Sequence, residues 1–428
     1  MKINIKEMSY EDVLKLPRLK HKTPRKPQLW LTTLVRILSA PTLKKTKFSY
    51  TTERMELVKN EPCLILMNHS SFTDMKLAFG IFYPKKMGIV TSVDAMTGIL
   101  GKLMRLLGCT PTHKYVTDLT LMQDMKYMLT KNKTSILMYP EAGYSFDGCA
   151  TTLPKKMGIL MKRLGVPVVT VITQGAFHRD PLYNMLQVRP MKVSAHVTCI
   201  ATAEEVKEKS VEELDALLDE AFSFDNFAWQ RDNKIEIDVP YRADGLHRIL
   251  YKCPHCGAEN RMEGKGIHLT CHACEKQWTM DVYGQLSAKD GETEYPHIPH
   301  WHQWQRACVR EELQKGEYAL DTEVDIAIQV NLKGVCKIGS GRLTHNENGF
   351  HLVGAEGKLD YSQSPVFSHT LYADYYWYEI GDVIGIGNNE FSYFCFPKED
   401  VSVTKVRLAT EELYKMKKAQ RRAKKETE

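Results

Sequence analysis

Nowhere in its 428 residues does the sequence hold a run of apolar residues long enough to cross a bilayer as a helix, so any membrane contact is expected to be peripheral. The first 25 residues are charged throughout and have no apolar core segment, which excludes a secretory signal and predicts a cytosolic protein. A strong charge of one sign is missing too. The balance of 58 Lys and Arg against 52 Asp and Glu leaves a net charge of +6, too little to select a nucleic acid or any other partner by field alone. Internal repeats and low-complexity tracts are absent. Of eleven cysteines, an odd number, only four stand in closely spaced pairs, which fits reduced thiols and one metal site better than a secreted disulfide framework.

What the chain does have is 43% hydrophobic residues, enough for two or three cores. Its basic residues gather at the ends. Six lie between Lys15 and Lys26 with no acid among them, and seven between Lys415 and Lys425. Between Pro27 and Pro41, Trp30, Leu31, Leu34, Ile37 and Leu38 follow one face of a helix. Flanked by that first basic stretch and by Lys44, Lys45 and Lys47, the face suits either an anionic membrane surface, on its inner, cytoplasmic side, or the protein's own core.

From Glu61 onward apolar runs alternate with helix-like segments. Strands are expected at 63–67, 135–139 and 166–172, and helices at about 74–82, 95–107, 118–131 and 154–164. This rhythm predicts an α/β domain with a mostly parallel sheet, whose functional residues gather past the carboxyl ends of strands. Past the first strand comes Asn68-His69-Ser70-Ser71-Phe72-Thr73-Asp74. Past the second comes Tyr139-Pro140-Glu141-Ala142-Gly143-Tyr144-Ser145, and past the third Thr173-Gln174-Gly175. Imidazole titrates in the range a general base needs, and a carboxylate five residues on can hold the ring in its useful tautomer. The spacing alone is weak, because 15 histidines and 21 aspartates give about 0.7 such pairs by chance. No Gly-x-Ser-x-Gly elbow surrounds Ser70 or Cys63, and Cys63, Cys109 and Cys149 read as inert thiols.

Over roughly residues 45 to 200 these motifs resemble the glycerolipid acyltransferase family, the group that includes the 1-acylglycerol-3-phosphate acyltransferases. Its Asn-His-x4-Asp motif corresponds to Asn68, His69 and Asp74. Its second motif looks like Gly108 to Lys114, with Lys114 where the family has arginine. Its third, Phe-Pro-Glu-Gly-Thr-Arg-Ser, is met by Tyr139, Pro140, Glu141 and Ser145, with Ala142 in place of the first glycine and Tyr144 in place of the arginine. Its fourth is met by Val166, Pro167 and Val168. The resemblance implies an O-acyltransferase in which His69 is the base and Asp74 its orienting acid. It further implies a donor thioester on coenzyme A or acyl carrier protein. Asn68, Lys114, Glu141, Gly143 and Ser145 would attend a lysophosphatidate-type acceptor. Arginine grips a phosphate bidentately and lysine does not, so the two departures bear on the acceptor, with Lys155, Lys156 or Arg179 as other sources of charge. A non-catalytic lipid-binding scaffold, or an acceptor without phosphate, are the alternatives.

Cys253-Pro254-His255-Cys256 and Cys271-His272-Ala273-Cys274 have the spacing of a four-cysteine zinc ribbon. Four thiolates leave no position for water, so Zn²⁺ there would be structural. Glu259, Glu263 and Glu275 offset the local lysines, and nucleic acid is not an expected partner. From about Val324 the pattern is β-rich, with strands expected at 324–332, 341–345, 349–353, 366–378, 391–396 and 401–407. Turns are expected at Asn346 to Gly349 and Gly387 to Asn389, and a basic helix capped by Thr410. Its outline suggests a pleckstrin-homology or GRAM-type fold. An acidic helix is expected over 204–220. The expected organisation is an arm and interfacial helix (1–44), an acyltransferase domain (45–242), the ribbon (243–285), a linker with a helix (286–322) and a β-rich domain (323–428).

Overall fold

The structure, a computed structural model, describes residues 3–114 and 118–427, with side chains to residue 424. It divides into two compact units. One holds Lys20–Pro181 and Val188–Asn226. The other holds the chain up to Leu19, Leu182–Gln187 and everything from Phe227. The expected limit at residue 242 therefore falls at Asn226, and ribbon, linker helix and β-rich region belong to one body. The N-terminal arm is shared out, because Ile5–Glu7 forms a strand paired with a segment near residue 336, a long-range bond that no local pattern reveals.

The first unit begins with α1 (Leu29–Lys45), β1 (Ser49–Glu53), β2 (Leu64–Met67), α2 (Asp74–Phe82) and β3 (Met87–Ser92). It continues with α3 (Gly98–Leu106), β4 (Cys109–Thr112), α4 (Leu119–Thr130), β5 (Ser135–Met138), α5 (Met157–Leu164) and β6 (Val168–Gln174). It ends with β7 (Ser194–Ala201), α6 (Ala203–Glu208) and α7 (Val211–Ala221). The sheet order is β1-β7-β6-β2-β5-β3-β4. Among the described residues its pairings are parallel except β6 with β7.

Every residue of β2 is buried, as a strand covered on both faces requires, and this explains its unbroken apolar run. On one face Met125, Met128 and Leu129 of α4, Met161 and Leu164 of α5, and Leu214 and Leu218 of α7 close over Leu64, Leu66 and Ile136. The acidic helix expected over 204–220 is two helices. Ser210 accepts from the Glu213 backbone N–H while Glu213 returns to the Ser210 N–H, a capping box that starts α7 afresh. Helix α1 runs on through Pro41 to Lys45, beyond the apolar face read between Pro27 and Pro41. It lies against α2, where Lys76 Nζ donates to Thr42 Oγ1 at 3.1 Å. Its apolar residues part company: Leu31 is buried, whereas Trp30, Leu34, Ile37 and Leu38 are exposed.

In the second unit, β8 (Met262–Lys265), β9 (His268–Cys271), β10 (Gln277–Met280) and β11 (Leu286–Ala288) form an antiparallel sheet in the order β11-β10-β9-β8. Helix α8 (Ile298–Lys315) follows. Then come β12 (Leu320–Asn331), β13 (Gly334–Asn346), β14 (Gly349–Gly354), β15 (Leu359–Gln363), β16 (Tyr372–Trp377), β17 (Gly381–Gly387) and β18 (Ser392–Pro397), and finally α9 (Val403–Thr427). The larger sheet runs β15-β14-β13-β12-β18-β17-β16, with Ile5–Glu7 parallel to β13. Residues 401–407, expected as a strand, instead lead into α9, which begins at Val403. The Ser402 hydroxyl accepts from the Lys405 N–H at 3.1 Å and caps it, so Thr410 lies inside the helix instead, donating back to Val406 O at 2.8 Å.

Candidate functional site

The carboxyl end of β2 leads straight into Asn68–Asp74, and three neighbouring segments fix that loop. From the end of β6, the Thr173 N–H donates to Asn68 Oδ1 at 2.8 Å, and the Asn68 amide donates to Ser70 Oγ and to Thr173 O. From the loop after β5, Glu141 Oε2 accepts the His69 N–H at 2.9 Å, while the Ser145 N–H donates to His69 O at 3.1 Å. Beyond β6, Asp180 takes a hydrogen bond from Ser71. Asn68, Glu141, Ser145 and Asp180 are all buried, so these bonds are made away from competing water.

Within this frame His69 Nδ1 lies 2.9 Å from Asp74 Oδ2. The same oxygen accepts the backbone N–H groups of Ser70 at 2.8 Å and Ser71 at 3.0 Å. An oxygen that already takes two N–H donors faces Nδ1 as an acceptor, so Nδ1 carries the proton and Nε2 is left basic. Burial holds the His69 pKa below its ordinary value. The Asp74 hydrogen bond and charge oppose that shift, and the charge of Lys114, just beyond β4, adds to it. An imidazole so placed is neutral at physiological pH and able to take a proton, which is what a base needs.

The aromatic setting of the imidazole was not expected from the sequence. Tyr139 stacks on His69 with ring centroids 4.2 Å apart, Tyr144 lies 3.9 Å away, and Phe72, half-exposed, stacks on Tyr144 at 5.1 Å. Tyr144 thus occupies with an aromatic face the place where the resembled family carries a cation. Asp180 was missed as well, since nothing local marks it. Arg179 Nη1 donates to Asp180 Oδ2 at 2.8 Å, so that candidate cation is engaged by its neighbour.

The expected acceptor-binding residues fall into two groups. Glu141 is fully buried: Oε2 serves His69, and Oε1 accepts the Thr151 N–H at 2.8 Å and hydroxyl at 3.0 Å. Asn68 and Ser145, whose Oγ donates to Cys149 O at 2.6 Å, likewise support the loops from inside, and Gly143 is buried beside them. Lys114 is only partly buried. Cys63 is buried within reach of Lys85 and Ser135, and burial raises the pKa of its thiol, the opposite of what a nucleophile needs.

Ala142 adopts a left-handed φ of 53° where the resembled motif has glycine. A Cβ in that conformation costs about 1–2 kcal/mol, part of which glycine gives back through the unfolded chain's greater freedom. Ala142→Gly is therefore expected to stabilise the first unit by about 0.5–1 kcal/mol, read as a higher urea midpoint at unchanged slope.

In the second unit the four sulfur atoms of Cys253, Cys256, Cys271 and Cys274 lie within 4.8 Å of one another. The Cys253–Cys274 and Cys256–Cys271 sulfurs are 3.8 and 3.7 Å apart. A tetrahedron with Zn–S arms of about 2.3 Å has edges of about 3.8 Å, so the donor set fits Zn²⁺ in type and in spacing. The two knuckles match. Gly257 donates its N–H to Cys253 O and Glu275 donates to Cys271 O, both from left-handed φ, 76° and 61°. His255 faces Glu294 and His272 faces Glu263, so neither imidazole is needed by the metal.

Residues 49–174 match the family model described as acyltransferase, a stretch that holds His69, Asp74 and Glu141 and covers less than half of the chain. Among solved structures, the chain is similar to the 1-acyl-sn-glycerophosphate (LPA) acyltransferase PlsC from Thermotoga maritima. That likeness has 19% identity and a TM-score of 0.36 over 45% of this chain and 76% of that one. No curated protein sequence matches. The acyltransferase likeness thus falls on the unit in which a buried aspartate orients a histidine at the end of a central strand.

Proposed function

We propose that the first unit transfers a fatty acyl group from an acyl thioester, on coenzyme A or acyl carrier protein, to the hydroxyl of lysophosphatidate or a related lysolipid. The observation that carries the reading is the Asp74–His69 pair, with Nδ1 committed to the carboxylate and Nε2 available as base. His69 Nε2 takes the acceptor's hydroxyl proton as that oxygen attacks the thioester carbonyl. The resulting tetrahedral oxyanion collapses, the C–S bond breaks, and the proton passes from the imidazolium to the departing thiolate. No covalent acyl-enzyme is required. Lys114 supplies positive charge for an acceptor phosphate. Asn68, Glu141 and Ser145 act on the acceptor indirectly, by holding the loops that place His69, and Gly143 lies in the same loop.

The packing of the Tyr144 ring against His69 favours a second reading of the acceptor, an alcohol without phosphate. Incubating the zinc-loaded protein with long-chain acyl-CoA and either lysophosphatidate or monoacylglycerol, with thiol release as readout, decides between them. Thiol release that needs lysophosphatidate supports the first, and release only with the uncharged alcohol supports the second. No release with either acceptor, or with acyl carrier protein as donor, would sink both.

No helix among the described residues is long and apolar enough to cross a membrane. The exposed stripe Trp30, Leu34, Ile37 and Leu38, with Arg25 and Lys26 before it and Lys44 and Lys45 at its end, supports docking on an anionic bilayer. Trp30→Ser with Ile37→Ser is expected to lower co-sedimentation with anionic liposomes about tenfold or more, and equal co-sedimentation would refute the assignment. In the second unit we propose that Cys253, Cys256, Cys271 and Cys274 hold a structural Zn²⁺.

A further inference from the structure

The reaction scheme gives Asp180 no part, yet this carboxylate is buried and tied directly to the catalytic loop. Its Oδ1 accepts the Ser71 hydroxyl at 2.5 Å, and its Oδ2 accepts Arg179 Nη1 at 2.8 Å. Ser71 Oγ accepts the Thr73 N–H at 3.1 Å and lies 2.8 Å from Thr73 Oγ1. The Ser71 N–H meanwhile donates to Asp74 Oδ2, the oxygen that orients His69. One short residue thus joins two carboxylates, its side chain held by Asp180 and its backbone holding Asp74. The Thr73 N–H uses a lone pair on Ser71 Oγ, which leaves the Ser71 proton directed at Asp180.

We infer that Asp180 is a positioning residue for acyl transfer: acting through Ser71, its carboxylate holds the loop that aims Asp74 and His69, and protonation of that carboxylate loosens the aim. The inference rests on His69 as the base. A charged acceptor makes a shorter and stronger hydrogen bond than a neutral one, so the Ser71 link is tightest when Asp180 is ionised. Burial pushes the Asp180 pKa up to about 6. The negative charge of Asp74 acts in the same direction, while the Ser71 hydrogen bond and Arg179 oppose it. The charged and titratable groups facing this relay are Arg179 on Asp180's own turn, Asp74 at the start of α2, His69, and Lys114, which acts on His69. Between about pH 5 and 7 the loop therefore passes from a neutral to an ionic anchor.

The test uses the full-length, zinc-loaded chain. Asp180→Asn keeps an acceptor oxygen for Ser71 and removes the titration, and Ser71→Ala cuts the link while leaving the Arg179–Asp180 pair in place. Both are expected to lower kcat roughly 10- to 100-fold with KM nearly unchanged, the scale on which a misplaced catalytic group loses rate. Both are also expected to remove the Asp180 inflection near pH 6 from the wild-type kcat profile and leave only the limb set by His69, and Asp180→Glu should restore part of the rate. Wild-type kcat and an unchanged pH profile in Asp180→Asn would overturn the inference, as would a profile change in that variant that Ser71→Ala does not share. A ¹⁵N titration of the His69 imidazole reads the same coupling without turnover. The wild type should show a second inflection near pH 6 that is lost in Asp180→Asn. An identical titration in the variant refutes the link, whereas a lost inflection in a protein that transfers no acyl group refutes only the assigned reaction.

Discussion

His69→Ala is expected to lower kcat for acyl transfer by about 10²–10⁴-fold, the range that a positioned general base contributes, while leaving the fold nearly intact. The asymmetry follows from how the site is built. The His69 backbone is what holds the loop, through Glu141 at its N–H and Ser145 at its carbonyl, and alanine keeps both bonds. What alanine removes is the ring, stacked on Tyr139, packed at a tilt against Tyr144 and bonded to Asp74. Asp74→Asn should be the more revealing variant. An amide can present its N–H₂ to Nδ1, which then has to accept, and the proton moves to Nε2, where the base is needed. Its kcat should fall by a similar factor, with added instability because Asp74 also receives the Ser70 and Ser71 N–H groups. Since burial lowers the His69 pKa, the neutral base persists below pH 6.5, and the limb set by His69 itself should lie on the acid side of that value. A thiol-release profile in wild type and both variants measures all of this. Wild-type turnover in His69→Ala would end the assignment.

The second large effect concerns the cysteines. Cys271→Ser, or prolonged chelation, is expected to take the zinc content from one ion per chain to none and to destabilise the second unit by several kcal/mol, roughly 10 °C or more in melting temperature. Much of this loss comes from what the knuckles carry. Lys252 and Glu259 flank the first pair, and Lys252 binds Glu259 at 3.1 Å and Glu312 of α8 at 3.3 Å, while Lys405 of α9 binds the same two carboxylates at 2.7 and 2.8 Å. The Asn260 side chain also donates to Asp400 O at 2.8 Å. Releasing the metal frees the turn that presents one side of this closed charge square, so α8 and α9 lose an anchor with it. Equal melting curves with and without metal would show that the four thiols hold nothing structural.

How far these features could be read from sequence depended on how local their causes were. His69 with Asp74, and the two cysteine pairs, are short-range patterns, and each lies in the structure as a single hydrogen bond or a single cluster. Strands β2, β5 and β6 were legible because burial on both faces forces unbroken apolar runs, whereas β1, exposed throughout, and β3, β4 and β7 were not expected. Strand β17 was not, since Gly381, Gly385 and Gly387 dilute its pattern, and Gly385 is required by the Tyr372 ring of the neighbouring strand, which a Cβ there would meet at 2.9 Å. Val401, Val403 and Val406 looked like a strand until Ser402 was seen capping a helix. Asp180 could not be found at all: its partner Ser71 lies far away in sequence, and only the meeting of two strand ends brings them together.

Ile5–Glu7 lies in parallel register with Val335–Lys337, and Met8 donates its N–H to Lys337 O. This strand is synthesised well before its partner and is thus a late one to find its place. It must wait, unpaired, until β13 has been synthesised, while the histidine-bearing sheet between them can already condense. Its short length and the charges of Lys6 and Glu7 suit that wait, because a brief, charged edge recruits few wrong neighbours. An N-terminal deletion or fusion should therefore slow or weaken the maturation of the C-terminal β-sheet and leave the folding of the histidine-bearing sheet largely untouched.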